Sequence, residues 1–280
     1  MFMFFLIFSI ERHRNQFGLN RSNQDIELTT IYIITPTYAR ANQIPEITRL
    51  AQTLMHVPNI HWLVVEDWSD KNPMIETILK KRGVQHTYLV GPRPPNQLKY
   101  PYAVNCHHAA FKWIRENAKS GVIFMADDDN VFDLRVFEQM RSTKNVSVWP
   151  VGGMFREELS SPVVKNGKVI DFLDGFRRQR KFALDWAAFA VSVQHFLSIP
   201  GATDPYRNGY EEDLFLQNLR FGLDDLEPKG NNCTEILAWH TRTTSKDYPS
   251  LNNMKKEPDY ENTNLLKLYA SMLTTARNKV

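Results

Sequence analysis

Cysteine is nearly missing from this chain. Cys106 and Cys233 are its two cysteines, too few for a disulfide framework and without the neighbours that would make a zinc site. No long hydrophobic run is present either. The apolar stretch from Met1 to Ile10 is half of the about 20 residues that a membrane-spanning helix needs. No basic residue precedes it, so it fits neither a well-formed signal peptide nor an ordinary signal anchor. A shortened anchor and a misplaced start codon both remain open. Charge of one sign is not in excess: the formal net charge is +3. Outside Arg177-Arg178-Gln179-Arg180-Lys181, Arg and Lys are scattered, which speaks against nucleic acid as a partner. That one cluster could meet an anionic saccharide or phosphate. Both common phosphate loops are missing as well. No Gly-x-Gly-x-x-Gly follows the first apolar strand and no Gly-Lys-Ser/Thr occurs, which disfavours a dinucleotide enzyme or a P-loop NTPase.

What is present begins with Ile123-Phe124-Met125-Ala126-Asp127-Asp128-Asp129-Asn130. An apolar run leading into three carboxylates reads as a buried strand that delivers negative charge to the end of a sheet, where ligands of open α/β sheets gather. Carboxylates so crowded raise the cost of ionising one another unless a cation lies between them. The competing reading is an Asp-rich turn that caps a helix starting near Leu134.

Hydrophobic residues make up 42% and charged residues 23% of the chain, ordinary proportions for a globular protein. Ile31 to Thr35, His61 to Glu66, His86 to Val90 and Val122 to Ala126 read as short β-branched strands. Helical spacing lies between them, with Ile44, Ile47, Leu50, Ala51 and Leu54 on one face, then Ile75, Ile78 and Leu79, then Ala110, Trp113 and Ile114. Alternation of this kind predicts a parallel sheet with helices on both faces, a nucleotide-binding half. The second half predicts strands at Val146 to Pro150, Lys168 to Phe172 and Ala187 to Val193, with a hairpin turn over Lys165-Asn166-Gly167-Lys168. Glu211-Glu212-Asp213 opens a further helix, where acidic residues suit the helix dipole and where a carboxylate favoured in its ionised form can act as a general base. In Trp239-His240-Thr241-Arg242, His240 and Arg242 share one face of an extended segment and can reach one anion. Asn20, Asn145 and Asn232 each begin an Asn-x-Ser/Thr sequon, a weak sign of secretion.

Five segments taken in order carry a family resemblance: Ile33-Ile34-Thr35-Pro36-Thr37-Tyr38-Ala39-Arg40, Leu63-Val64-Val65-Glu66-Asp67, Phe124 to Asn130, Val146-Ser147-Val148-Trp149-Pro150-Val151-Gly152 and Trp239-His240-Thr241-Arg242-Thr243. Together they resemble the beta-1,3-glucuronyltransferases. The resemblance implies an α/β chain of the GT-A glycosyltransferase type, with a Rossmann-like nucleotide-binding half and a mixed-sheet acceptor half. It divides the chain into a short apolar N-terminus and stem-like segment (1–29), a catalytic domain (30–245, with a UDP-binding half at 30–130 and an acceptor half at 131–245) and a C-terminal tail with a helix (246–280). The implied enzyme is a single-pass type II Golgi membrane protein. It transfers glucuronate from UDP-glucuronate to the 3-hydroxyl of a galactose-terminated glycan, with inversion and with Mn2+.

The resemblance also assigns roles. Tyr38 packs on uracil, beside Pro36, and Asp67 meets the uracil imide. Asp127 and Asp128 hold ribose and donor sugar, Asp129 is the direct manganese ligand, and Asp185 lies near the donor sugar. His240 and Arg242 contact the diphosphate and donor. Glu212 is the catalytic base, with Glu211 one residue away, while Arg180 and Phe176 face the acceptor. A homodimer formed through the helix near Leu265 to Leu273 is also implied. Two arginines usual in the family are Tyr102 and His107 here, and neither reproduces the fixed bidentate donors of a guanidinium. A catalytically weak paralogue that binds UDP-sugar or glycan is therefore the alternative.

Overall fold

The computed structural model describes residues 28–93, 103–154 and 159–241, together with Asn264, Leu265 and Leu268. The apolar N-terminal run, Asn20, Tyr102, Arg242 and most of the expected pairing helix lie outside the described residues.

The first part is built from β1 (Ile31–Thr37), α1 (Gln43–Leu54), β2 (Ile60–Glu66), α2 (Pro73–Arg82), β3 (His86–Val90), α3 (Val104–Asn117) and β4 (Val122–Met125). β1 pairs in parallel with β2 and β4, and β2 pairs in parallel with β3. The expected parallel sheet therefore forms, and its strands are apolar runs because their residues are buried on both faces. α1 turns Ile47, Leu50, Ala51 and Leu54 into the core. α2 shows how locally its bounds are encoded. Asn72 accepts a hydrogen bond from the Met74 N–H, Pro73 occupies the first turn, and Gly83 ends the helix at φ 68°.

The chain continues through β5 (Val131–Phe132), α4 (Leu134–Met140), β6 (Val146–Val148), β7 (Val151–Gly152), β8 (Leu159–Lys165), β9 (Lys168–Leu173), β10 (Phe189–Ser192), α5 (Val193–Ser198), α6 (Glu211–Asn218), β11 (Leu226–Pro228) and β12 (Ala238–Trp239). Seven strands form one sheet in the order β11-β6-β10-β4-β1-β2-β3, and five form a second in the order β5-β12-β7-β8-β9. β10 runs antiparallel to both β4 and β6, so the large sheet draws strands from both sides of residue 130.

The expected hairpin forms, with Asn166 and Gly167 at φ 53° and 74° between Lys165 and Lys168. Two strands are shorter than the sequence suggests. Trp186–Ala188 is a 3-10 turn entered through Asp185, and Val193 already begins α5. Trp149 and Pro150 leave β6 to change sheets, and Trp149 is held by its Nε1–H donating to the Ala187 carbonyl at 2.7 Å.

The lead-in to the acidic triad is locked by aromatic packing. Phe124 meets Phe132 and Phe137 edge to face, with centroids at 5.3 and 6.0 Å, and lies 5.7 Å from Trp149. Phe124→Ala should destabilise the protein by about 3–5 kcal/mol, read as a lower urea midpoint with an unchanged slope. A loss under about 1 kcal/mol would show that the cluster closes around the gap.

Candidate active site

The acidic triad is not a helix cap. α4 is capped by Asp133, whose carboxylate accepts from the Arg135 N–H at 2.9 Å. The triad lies instead at the carboxyl edge of the parallel sheet, and β1 stitches it there. Thr35 Oγ1 donates to the Ala126 carbonyl at 2.7 Å, and Thr37 Oγ1 donates to Asp128 Oδ2 at 2.7 Å. Behind them, Glu66 is a buried carboxylate held by Gln43 Nε2 at 3.0 Å and by the Tyr88 hydroxyl at 2.5 Å.

A cleft opens at this edge. It is lined on one side by Pro36, Thr37, Tyr38, Arg40, Asp67 and Ala103, and on the other by the triad and His240. Tyr38 is 39% exposed and presents its ring, with the Arg40 guanidinium 4.6 Å from the centroid. Asp67 is buried at the end of β2, and burial pushes its carboxyl up to about 7 despite Arg93 3.1 Å away.

The three aspartates differ. Asp128 is neutralised, its Oδ1 accepting from Arg40 Nη2 at 2.5 Å. Asp127 and Asp129 are not: burial and the neighbouring carboxylates raise both carboxyls, Asp127 well above the ordinary range. Asp129 and His240 attract one another, and the ligand atoms of Asp127, Asp129 and His240 all lie within 4.8 Å of one another. His240 Nδ1 is buried without a hydrogen-bond partner among the described residues and stands 3.9 Å from Asp185 Oδ2. Two oxygens and an imidazole nitrogen so close together fit a divalent cation, which relieves the crowding of the carboxylates. The backbone keeps this geometry. Arg49 Nη2 donates to the Asp129 carbonyl at 2.6 Å, Thr241 Oγ1 donates to the same oxygen, and Gly153, at φ +77°, passes so close to the His240 carbonyl that a Cβ would overlap it.

Beside the cleft stands a second acidic group. Asp185 accepts from the Ala187 N–H at 2.9 Å. Glu212, in the first turn of α6, pairs with Arg180 Nη1 at 3.2 Å, and the Arg180 guanidinium lies 4.2 Å over the Phe176 ring. Glu212 is close enough to raise the Asp127 carboxyl. The helix dipole does not keep Glu212 ionised as its position in the sequence suggests. Burial dominates and lifts its carboxyl to about 8, with Asp185 adding to the rise and Arg180 opposing it.

Arg40, three residues past β1, closes the first motif but receives no role from the sequence, and a buried clamp behind the cleft lies outside the motifs altogether. His107 Nδ1 donates to Asp204 Oδ2 at 2.7 Å, and His108 Nε2 donates to the Asp204 carbonyl at 2.8 Å. His107 thus faces the interior and not the cleft. Further along α3, Arg115 donates to the carbonyls of Phe196, Ile199 and Ala202, and Phe111 stacks on Phe215 of α6 at 5.0 Å. One helix of the first half therefore fastens the loop that leads to Glu212. No signal short of the fold pairs residues 97 positions apart.

A cation bound at the triad should show in the stability of the protein. Manganese should raise its Tm, and Asp129→Ala should abolish the shift; an unaltered shift in the variant would move the cation elsewhere. The clamp, in turn, contributes in a pH-dependent way. The Asp204 carboxyl is depressed by His107 and His108 although burial opposes them, so its contribution is present above about 3.9 and lost as pH falls through the lower folded value. The His108 imidazole is raised by Asp204 against desolvation, so its share is complete below about 6.5 and lost as pH climbs through the raised value. Asp204→Asn should cost about 3 kcal/mol near pH 6 and flatten the decline in Tm above neutrality. An unchanged Tm-against-pH curve would remove the clamp.

The family model for Glycosyltransferase family 43 matches residues 50–244. "Galactosylgalactosylxylosylprotein 3-beta-glucuronosyltransferase S" of Drosophila melanogaster is 44% identical over 238 residues, covering 83% of this chain and 58% of that protein. "Galactosylgalactosylxylosylprotein 3-beta-glucuronosyltransferase 2" of Rattus norvegicus is 42% identical over 243 residues, covering 83% of this chain and 73% of that protein. The chain thus spans little more than half the length of the Drosophila relative. Among solved structures, S. aureus TarS 1-349 in complex with UDP-GlcNAc superposes with a TM-score of 0.51 at 12% identity, over 86% of this chain and 66% of that one. That likeness concerns the fold alone, which is of the GT-A type. The chain belongs to Glycosyltransferase family 43.

Proposed function

We propose that this chain is an inverting 3-beta-glucuronosyltransferase. It moves glucuronate from UDP-glucuronate to the 3-hydroxyl of a terminal galactose on a glycoprotein or proteoglycan linker. The observation that carries the reading is the nearness of two groups in a family-43 chain, Asp127 with Asp129 and His240, and Arg180-bound Glu212, whose charge raises the Asp127 carboxyl. In-line displacement needs one base and one stabiliser of the leaving group, and no covalent intermediate.

In this reading Tyr38 stacks on uracil, Pro36 lines its pocket, and Asp67, whose buried Oδ1 has no hydrogen-bond partner among the described residues, receives the imide N–H. Asp128, oriented by Thr37 and Arg40, holds the ribose. Asp185 stands near the donor sugar, and Arg242 reaches the diphosphate. Asp129, with Asp127 and His240, would hold manganese, which when bound supplies Lewis-acid stabilisation of the UDP leaving group. Phe176 offers the acceptor an apolar face, and Arg180 orients Glu212 toward the galactose hydroxyl. The division into a UDP-binding half and an acceptor half, with a stem ahead of them, belongs to the same reading. So do Golgi membrane attachment through the N-terminus, in type II topology, and pairing of two copies near Leu265. Among the described residues no helix is long and apolar enough to cross a membrane.

The competing reading, a paralogue that binds UDP-sugar or glycan without efficient turnover, is favoured by His107 facing Asp204 and by the raised Glu212 carboxyl. One assay separates them: the purified protein with manganese, UDP-glucuronate and galactose-terminated acceptors. Glu212→Gln should lower kcat by about 10²–10⁴-fold while leaving UDP affinity intact. Because the base must be ionised, wild-type kcat should rise with pH, with its midpoint at or below about 8 since the cation's charge favours the carboxylate. UDP binding without product in the wild type would establish the second reading, and a Glu212→Gln variant as fast as wild type would place the base elsewhere.

A further inference from the structure

Behind the donor side of the cleft lies a buried series of hydrogen bonds that runs in one direction only. It starts at the cap of α2, where Asn72 Oδ1 accepts from the Met74 N–H at 3.0 Å. With its oxygen so occupied, Asn72 turns its amide nitrogen to Gln43, and Nδ2 donates to Gln43 Oε1 at 3.2 Å. Gln43, the first residue of α1, is fully buried. Its own amide nitrogen therefore faces the other way. Nε2 donates to Glu66 Oε1 at 3.0 Å and Oε2 at 3.1 Å, and to Thr37 Oγ1 at 3.3 Å. A flipped amide would set oxygen against the Glu66 carboxyl group and nitrogen against the Asn72 nitrogen, so the network admits one orientation.

The direction is passed on to the cleft. Thr37 Oγ1 receives a hydrogen from Gln43, which leaves its own hydroxyl hydrogen for Asp128 Oδ2 at 2.7 Å. The other oxygen of Asp128 accepts from Arg40 Nη2 at 2.5 Å, and the Arg40 carbonyl accepts from the Gln43 N–H at 3.1 Å. Both supports of Asp128 thus hang on Gln43, one by its side chain and one by its backbone. Asp67 is tied to the same place, because its N–H donates to the Thr37 carbonyl at 2.8 Å. Asn72, Gln43, Glu66, Thr37 and Asp128 are all buried, and there a lost hydrogen bond is not made good by water.

Filling space does not call for such a series. A methionine has nearly the bulk of Gln43 and would pack at the start of α1 without the cost of burying an amide. What the amide adds is control over where the Thr37 hydrogen points, and hence over the Asp128 carboxylate that lines the cleft. We infer that Gln43 is a positioning residue for the donor nucleotide: acting through the Thr37 hydroxyl, it holds Asp128 in the orientation that accepts a ribose hydroxyl, so that a residue remote from the ligand sets ribose recognition. The inference rests on the reading of this cleft as a UDP site with Asp128 at the ribose.

The test needs binding alone. The full chain with manganese is titrated by calorimetry with UDP, 2′-deoxy-UDP and 3′-deoxy-UDP. Wild type should bind UDP about 10–100-fold more tightly than the analogue lacking the hydroxyl that Asp128 accepts, as suits a hydrogen bond to a charged group. Gln43→Met should lower that ratio to within about three-fold of one, by weakening UDP while the deoxy analogue binds as before. Thr37→Val should do the same. The double variant should lose no more than Thr37→Val alone, because the two residues act in series. A merely structural role would weaken all three ligands alike and leave the ratio unmoved.

Equal affinity of wild type for all three ligands, a ratio that survives Gln43→Met or Thr37→Val, or losses that add in the double variant would overturn the inference. Should Gln43→Met not fold, Gln43→Leu replaces it, and should neither fold, Thr37→Val decides, since the effect runs through that hydroxyl. Absence of any UDP binding to wild type has a different meaning: the donor reading itself then fails and takes this inference with it, whereas UDP binding without ribose discrimination rejects this inference alone.

Discussion

Negative charge crowded at the carboxyl edge of the large sheet is the constraint around which the molecule is arranged. Asp127, Asp128, Asp129, Asp185 and Glu212 converge there, and burial raises the cost of ionising most of them. Left alone, such a cluster would favour unfolding or protonation. The fold answers each carboxylate differently. Arg40 neutralises Asp128, Arg180 pairs with Glu212, a backbone N–H supports Asp185, and Asp127 with Asp129 and His240 is left to a cation.

These separate answers depend on rigid delivery. β1, buried between β2 and β4, supplies Thr35 and Thr37 as fixed hydrogen-bond donors to the triad. Trp62 holds Thr35 in turn, its Nε1–H donating at 2.9 Å. On the opposite side α6 cannot drift, because Asp213 accepts from the Phe182 N–H at 2.9 Å, Asn218 holds the Thr203 carbonyl, and the loop before α6 is bound to α3. Glu212 and the group formed by Asp127, Asp129 and His240 are thus kept in register by these buried contacts. The apolar cluster around Phe124 and Trp149 does the same for the strand that carries the triad.

Beside the acidic edge the positive side chains are held by partners of their own: Arg180 pairs with Glu212 and lies over the Phe176 ring, and the Arg207 guanidinium stands 4.0 Å from the Tyr210 ring centroid.

The sequence by itself determined the local structure. Short apolar, β-branched runs marked β1 to β4, helical spacing marked α1 to α3 between them without fixing their ends, Asn166-Gly167 marked its hairpin, and the apolar approach to Asp127 put the triad at a sheet edge. These are effects of neighbours in the chain, and the order of residues records them. Tertiary structure alone decided the rest. Strands β6, β10 and β11 joined the parallel sheet, Val193 left its apparent strand to start α5, and His107 turned to Asp204. The ionisation of Glu212 was decided there too. A helix start favours the carboxylate, but loss of water around it outweighs the dipole, and burial exists only once distant segments have closed over the residue.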